Sequence, residues 1–298
     1  MKNTVSVSII AANYNNGQFL HDFIQSIINS TVLPEELIII DDGSTDNSLS
    51  ILDDYQYLDF LKPIRFQQHI GLTAALNAGL DVAKGKYIMR ADPDDILLPN
   101  RIERQFKFME ENEDVDIAGA NVIYFNDKDK KEINVSNFPL THKGIVKAYQ
   151  RGEHGLHHPT IIAKSAVYQL YRYQEIFPGE DYEIFSRMVS DGKRCANLKE
   201  PVNLMRIHGS SSTSNLKFEA IRQTFEFRDK IFRTKTSKWW VYVYYQHILH
   251  YRSYQITKKL IPKYFHLFIS CMMYPSKAWR KLVKCTNNAN HGLKSIKD

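Results

Sequence analysis

Through the first 120 residues the apolar positions alternate between two spacings. Val5–Ala12 (VSVSIIAA), Glu36–Asp41 (ELIIID), Ile64–Gln68 (IRFQQ) and Lys86–Ala91 (KYIMRA) are short apolar runs bounded by turn residues, which predicts buried strands. Between them the period lengthens. Phe19, Phe23, Ile24 and Ile27 make one helical face, Leu72, Ala75, Leu76, Gly79 and Leu80 a second, and Ile102, Phe106 and Met109 a third. Strand and helix alternating at this pitch predict right-handed βαβ units, an α/β fold and a mostly parallel central sheet flanked by helices. Such a sheet gathers its ligands at the carboxyl ends of its strands.

Beyond residue 120 the periods are weaker. ANVIYF reads as a strand, HHPTIIAKSAVYQL (His157–Leu170) as a strand running into a helix, and GEDYEIFSRMVSDG (Gly179–Gly192) as a helix ended by Asp-Gly. PVNLMRIHGSSSTSN (Pro201–Asn215) reads as a strand followed by a Ser-rich loop. The polar clusters of the first half follow its strands in order: NYNNG (Asn13–Gly17), DDGSTDNS (Asp41–Ser48), HIGLTAALNAG (His69–Gly79) and DPDD (Asp92–Asp95). Singly, each is as well explained as a helix cap or turn. Four in succession predict one shared crevice.

Composition adds a charge asymmetry. Residues 230–298 hold 14 Lys and Arg against one acid, a net +13, whereas residues 1–229 carry a net −7. Cys195, Cys271 and Cys285 are an odd set without C-x-x-C spacing, which argues against a disulfide framework or structural zinc and for a reducing, cytoplasmic setting. MKNTVSVSIIAANYNN lacks the long apolar core of a signal peptide.

Phosphate-binding signatures narrow the chemistry. Neither G-x-G-x-x-G nor G-x-x-x-x-G-K-[ST] occurs, and neither acidic loop has the spacing of an EF-hand. Three carboxylates within four residues, Asp92, Asp94 and Asp95, can be solvated, can cap the helix beginning near Pro99, or can hold a hard divalent cation against a diphosphate.

The ordered segments NYN, IIIDDGSTDNS, GLTAALNAGL, GKYIMRADPDD, GEDYEIFSRM and MRIHGSSST resemble the inverting family 2 glycosyltransferases of the GT-A fold, over about residues 3–215. The resemblance implies transfer of a sugar from a nucleotide-sugar, with UDP the expected nucleotide, to a glycan or lipid-linked saccharide acceptor in bacterial surface polysaccharide synthesis. It implies that Tyr14 and Asp42 contact the nucleoside and that Asp41 supports the turn. Asp92 then lies near ribose and diphosphate, Asp94 ligates Mn²⁺ or Mg²⁺, and His208 is a further ligand. Asp181 matches the family's general base, with Glu180 beside it expected to contact substrate, although both acids also suit a helix N-terminus. Arg206 is expected to neutralise phosphate or to face solvent. Asp95 reads as a cap or supporting acid, and His157 and His158 as acceptor-side or structural. The Q-x-x-R-W motif of processive relatives is absent, which implies one sugar per acceptor.

The expected organisation is a catalytic domain over 1–215, with a nucleotide-sugar half (1–120) and an acceptor half (121–215), and a basic, aromatic helical extension over 216–298. In that extension the longest apolar stretch, Tyr264–Tyr274, has 11 residues, too few to span a bilayer. Trp240, Val243, Tyr244, His247, Tyr251 and Tyr254 fall at helical spacing among Lys and Arg. They suit either an interfacial helix in peripheral contact with anionic lipid or packing within the protein. No nucleic-acid recognition motif accompanies them. Two other functions are weighed: a sugar-phosphate nucleotidyltransferase, disfavoured because AANYNNG has no basic residue, and a non-catalytic glycan-binding protein, disfavoured by Asp92, Asp94 and Asp181 together.

Overall fold

A computed structural model of the chain describes residues 2–176, 178–208, 217–257 and 259–275. Among them the strands β1 (Thr4–Asn13), β2 (Leu33–Asp42), β3 (Leu61–Phe66) and β4 (Tyr87–Arg90) alternate with helices α1 (Gly17–Ile28), α2 (Ser48–Asp54) and α3 (Leu72–Val82). After β4 come a two-residue β5 (Ile96–Leu97), α4 (Arg101–Glu111), β6 (Ile117–Asn126), β7 (Glu132–Val135) and α5 (His142–Gln150). β8 (Ile162–Lys164), α6 (Ser165–Leu170), α7 (Glu180–Ser190) and β9 (Cys195–Ile207) follow. One sheet joins the strands in the order β3-β2-β1-β4-β8-β6-β9-β5, with β7 paired to β6.

The sheet is parallel from β3 to β4. It turns antiparallel where β8 meets β4 and β6, and β9 then runs parallel to β6. Asn13 pairs with Asp41, Asp42 with Phe66 and Ile10 with Arg90, so the carboxyl ends of the first four strands reach one edge together. Ile9, Ile39 and Met89 from the sheet bury against Leu20, Phe23, Ile24 and Ile27 of α1. On α3, a Cβ on Gly79 would meet Ile40 Cδ1 at 2.7 Å and Ile10 Cγ2 at 2.8 Å, so only glycine lets this helix lie so close to the sheet.

β3 begins at Leu61 and ends at Phe66, three residues earlier and two shorter than the IRFQQ reading at its two ends. Pro63 hides its start from a pattern search; an edge strand tolerates it because one side of its ladder is unpaired.

The chain divides into two compact units. The first holds all the strands and α1 to α7. The second holds α9 (Lys238–Ile256), α10 (Leu260–Met273) and α8 (Phe218–Phe232) except Lys230–Arg233, which group with the first. Its core is Ile221, Phe225, Val241 and Tyr244, packed with Trp240, Tyr245, Ile248 and Tyr274. Of the two expectations for the aromatic stripe, lipid contact or packing within the protein, its centre meets the second. Tyr244 and His247 are buried, and His247 Nδ1 lies 2.9 Å from Ser270 Oγ on α10. The physical reason is that a Tyr and His at helical spacing serve equally well as the contact between two helices. No helix among the described residues is long and apolar enough to cross a membrane.

Candidate active site

The loops after β1 and β2 are knitted together by short polar side chains. Asp41 accepts from Asn13 Nδ2 at 2.8 Å and from the Ser44 amide at 2.9 Å, and Asn15 Oδ1 accepts from the Thr45 amide at 2.8 Å. Asp41 is thus committed to the turn. Gly43, at φ +71°, has the 68–69 backbone so close that a Cβ would sit 2.6 Å from Gln68 C, which brings the loop after β3 against the same turn. Asp42 then holds that loop: its buried carboxylate accepts from the Ile70 and Gly71 amides at 2.6 and 3.0 Å, and His69 Nδ1 lies 2.9 Å away. The exposed ring of Tyr14 meets the His69 imidazole at a centroid distance of 4.1 Å. Asp42 and Tyr14 are brought together through His69, a residue with no role assigned from sequence; an imidazole in a polar loop gives no pattern to find.

The acidic loop sits between β4 and β5. β5 pairs with β9, Ile96 with Leu204 and Leu97 with Asn203, and this carries Asp92–Asp95 past the end of β9. Asp92 pairs with the buried Arg90. Asp94 Oδ2 is 3.0 Å from His208 Nε2, and burial followed by the charge of Asp92 raises its carboxyl above the usual range. Asp95 is buried and accepts from the Arg206 amide at 3.0 Å; burial and then Asp94 and Asp92 push its carboxyl well up. It is not a helix cap, because Asn100 occupies that position on α4. Its work is to latch the loop to β9.

Arg206, expected either to neutralise phosphate or to face solvent, is buried. Its guanidinium is enclosed between the rings of Phe19 and Phe125, with centroids at 4.7 and 5.1 Å, and is paired with Asp127 and, at 3.0 Å, with Asp22. Nε donates to the Asp94 carbonyl at 2.8 Å. The charge is satisfied inside the protein, because the parallel register of β6 and β9 sets Phe125 opposite Arg206. Beneath the loop, buried Arg101 donates to the Arg90 carbonyl at 2.6 Å, Asn203 Oδ1 at 2.7 Å and Gln105 Oε1 at 3.0 Å. Desolvation lowers its guanidinium to about 9.

Glu180 and Asp181 open α7. Glu180 is buried, accepts from the Gly179 amide at 3.0 Å, and is pushed up to about 7 by burial and then by Asp181. Asp181 is partly exposed, and its Oδ2 lies 3.4 Å from His154 Nδ1. His154, in RGEHGL, is a second neighbour that sequence reading passed over. His157 lies within electrostatic reach of both Asp92 and Asp181; burial nonetheless lowers it to about 4, so it is neutral. His158 is buried against Tyr173, Nε2 to Oη 2.8 Å, and is a packing residue.

A hard cation needs oxygen ligands and leaves several positions to water and substrate phosphates. Asp94 offers carboxylate oxygens and His208, 3.0 Å from it, an imidazole nitrogen that Mn²⁺ also accepts; Asp92, two residues away, acts on Asp94 through its charge, and no group of three converged ligands occurs among the described residues. The Gly-Ser segment following His208 lies outside them.

Comparison with known proteins identifies the family and the fold. The model of the glycosyl transferase family 2 matches residues 8–172. A glycosyltransferase of Haemophilus influenzae is 33% identical over 72% of this chain and 69% of its own length. The UDP-Gal:alpha-D-GlcNAc-diphosphoundecaprenol beta-1,3-galactosyltransferase of Escherichia coli is 30% identical over 68% of this chain and 74% of its own. Among solved structures, S. aureus TarS 1-349 in complex with UDP-GlcNAc superposes with a TM-score of 0.60 at 16% identity, covering 93% of this chain and 83% of that one. The mannosyltransferase PcManGT of Pyrobaculum calidifontis, in complex with GDP-Man and Mn²⁺, gives 0.58 at 14% identity, covering 97% and 80%. The chain belongs to glycosyl transferase family 2 and is a glycosyltransferase of the GT-A fold.

Proposed function

We propose that the protein is an inverting glycosyltransferase that moves one sugar from a UDP-sugar to a glycan or lipid-linked saccharide. The observation that carries this reading is that the acidic loop, through Asp92, and the start of α7, through Asp181, both lie within electrostatic reach of the buried His157. One group is suited to the donor diphosphate and the other to an acceptor hydroxyl. Asp181 takes the hydroxyl proton, the acceptor oxygen bonds to the anomeric carbon, and the bond from that carbon to the diphosphate breaks with inversion. Tyr14 and His69 form a platform for the nucleobase, and Asp42 keeps it in place by fixing the 69–71 loop. Asp94 and His208 would hold Mn²⁺ or Mg²⁺, which supplies charge neutralisation at the leaving diphosphate when bound.

The choice of UDP is supported by the UDP-Gal-using relative and the UDP-GlcNAc-bound structure, and that of a metal by the Mn²⁺ of the mannosyltransferase. A lipid-linked acceptor in bacterial surface-glycan synthesis is supported by the diphosphoundecaprenol substrate of the same relative. Such an acceptor places the enzyme at the cytoplasmic membrane face, with residues 216–298 as a separate unit in peripheral contact with it. Calorimetric titration of UDP with and without Mn²⁺, on the wild type and on Asp94→Ala, tests the donor site. Metal-dependent binding abolished by the substitution is expected. Equal binding without metal, or by the variant, would overturn the role of Asp94.

A further inference from the structure

α10 has two unlike faces. Toward α9 it presents His266, whose Nδ1 is 2.9 Å from His250 Nδ1, and buried Ser270. Leu260, Ile261, Tyr264, Phe265, Phe268 and Met272 are each 58 to 86% exposed, and of these Tyr264 also reaches Tyr254 of α9, ring centroids 6.5 Å apart. At 3.6 residues per turn these six fall within an arc of roughly 140°. A contiguous exposed apolar face of this kind marks an interaction surface.

We propose that this outward face of α10 docks on an anionic lipid bilayer, lying in the interface. The proposal deepens, and rests on, the peripheral contact described above. Three observations favour lipid. The helix has 14 residues, too short to span a bilayer but long enough to bury one face in the headgroup boundary. The face mixes aromatic and aliphatic side chains, and Trp239 and Tyr242 on α9 are exposed as well. The sequence flanking it is basic: no Asp or Glu occurs between Lys230 and Pro275, while Lys235, Lys238, Lys259 and Lys263 do. That charge complements anionic headgroups. It opposes a second copy, since an isologous dimer would set two such segments against each other.

The test is co-sedimentation of the full chain with phosphatidylcholine vesicles, with and without phosphatidylglycerol, for the wild type and Ile261→Ser/Phe265→Ser/Phe268→Ser. All three side chains are exposed, so the variant keeps its packing. UDP calorimetry on the same samples reports the catalytic unit independently. The expected result is binding that requires phosphatidylglycerol, weakens with salt, and falls roughly tenfold or more in the variant. Absence of wild-type binding to phosphatidylglycerol vesicles, or equal binding by the variant, overturns the proposal whether or not UDP binds. A wild-type dimer in light scattering that the substitutions dissociate, without vesicle binding, assigns the face to a second copy instead.

Discussion

Glu180 and Asp181 are adjacent acids in unlike surroundings, and burial separates their chemistry. Glu180 keeps its proton to about pH 7 in the folded chain, despite the helix N-terminus that favours the anion. The unfolded chain releases that proton at the ordinary glutamate value. Between those two pH values the folded state binds the extra proton, so this contribution to stability is complete below the window and is lost as pH rises through 7. Glu180→Gln removes the loss. The variant is expected to be about 2 to 3 kcal/mol more stable than wild type at pH 8, with the gain vanishing below the window, in denaturant melts at the two pH values. A gain that does not change with pH would show that Glu180 is not the titrating group. Asp181, more exposed and beside His154, is the acid proposed as the base. Asp181→Asn should lower kcat by roughly 10² to 10⁴ while leaving UDP affinity within error, because an amide cannot take a proton but keeps the shape. Loss of UDP binding in parallel would instead make Asp181 part of the donor site.

At the scale of elements, the acidic loop is placed from below, by the strand that ends next to it. Arg101 of α4 ties the end of β4 to β9 through Arg90 and Asn203, and its charge lies near Asp95. Arg101→Met fills similar space but orphans three buried acceptors and withdraws a positive charge from a crowd of carboxylates. We expect a loss of about 3 to 5 kcal/mol in chemical denaturation, with Arg101→Lys recovering only part of it. A change under about 1 kcal/mol would mean that water takes over these contacts. None of this network was visible as pattern. The periods of β1, β2, α1, α3 and α4 are local, and each appears where the sequence predicts it. β7 has every residue exposed and α2 buries only Ser48 and Leu52, so neither offers a period to read. The motifs mark loops that the fold brings to the carboxyl edge of the sheet and to the start of α7, except that the GSSST of the last lies outside the described residues. The partners that decide what each side chain does are remote in sequence: Asp22 and Asp127 for Arg206, His154 for Asp181, His69 for Tyr14. A spacing rule reaches about four residues along a helix or two along a strand, and those pairings lie beyond it.

For the whole molecule, the charge asymmetry of the sequence coincides with a division of the core. The buried cluster around β1, β2 and α1 and the cluster around Phe225 and Tyr244 share no residue, and each closes on its own neighbours. Stability in the second unit therefore rests on a few aromatic contacts, among them Phe225 edge-on to Tyr244 at 5.1 Å. Phe225→Ala is expected to remove about 3 to 5 kcal/mol, enough to open a small three-helix unit in native conditions. Hydrogen exchange should then show amides of α9 and α10 losing protection by orders of magnitude while β1, β2 and β4 keep theirs, and UDP should bind the variant as it binds wild type. Protection falling equally in both units would mean that the chain unfolds as one cooperative body, and the basic unit would then contribute directly to holding the catalytic one together.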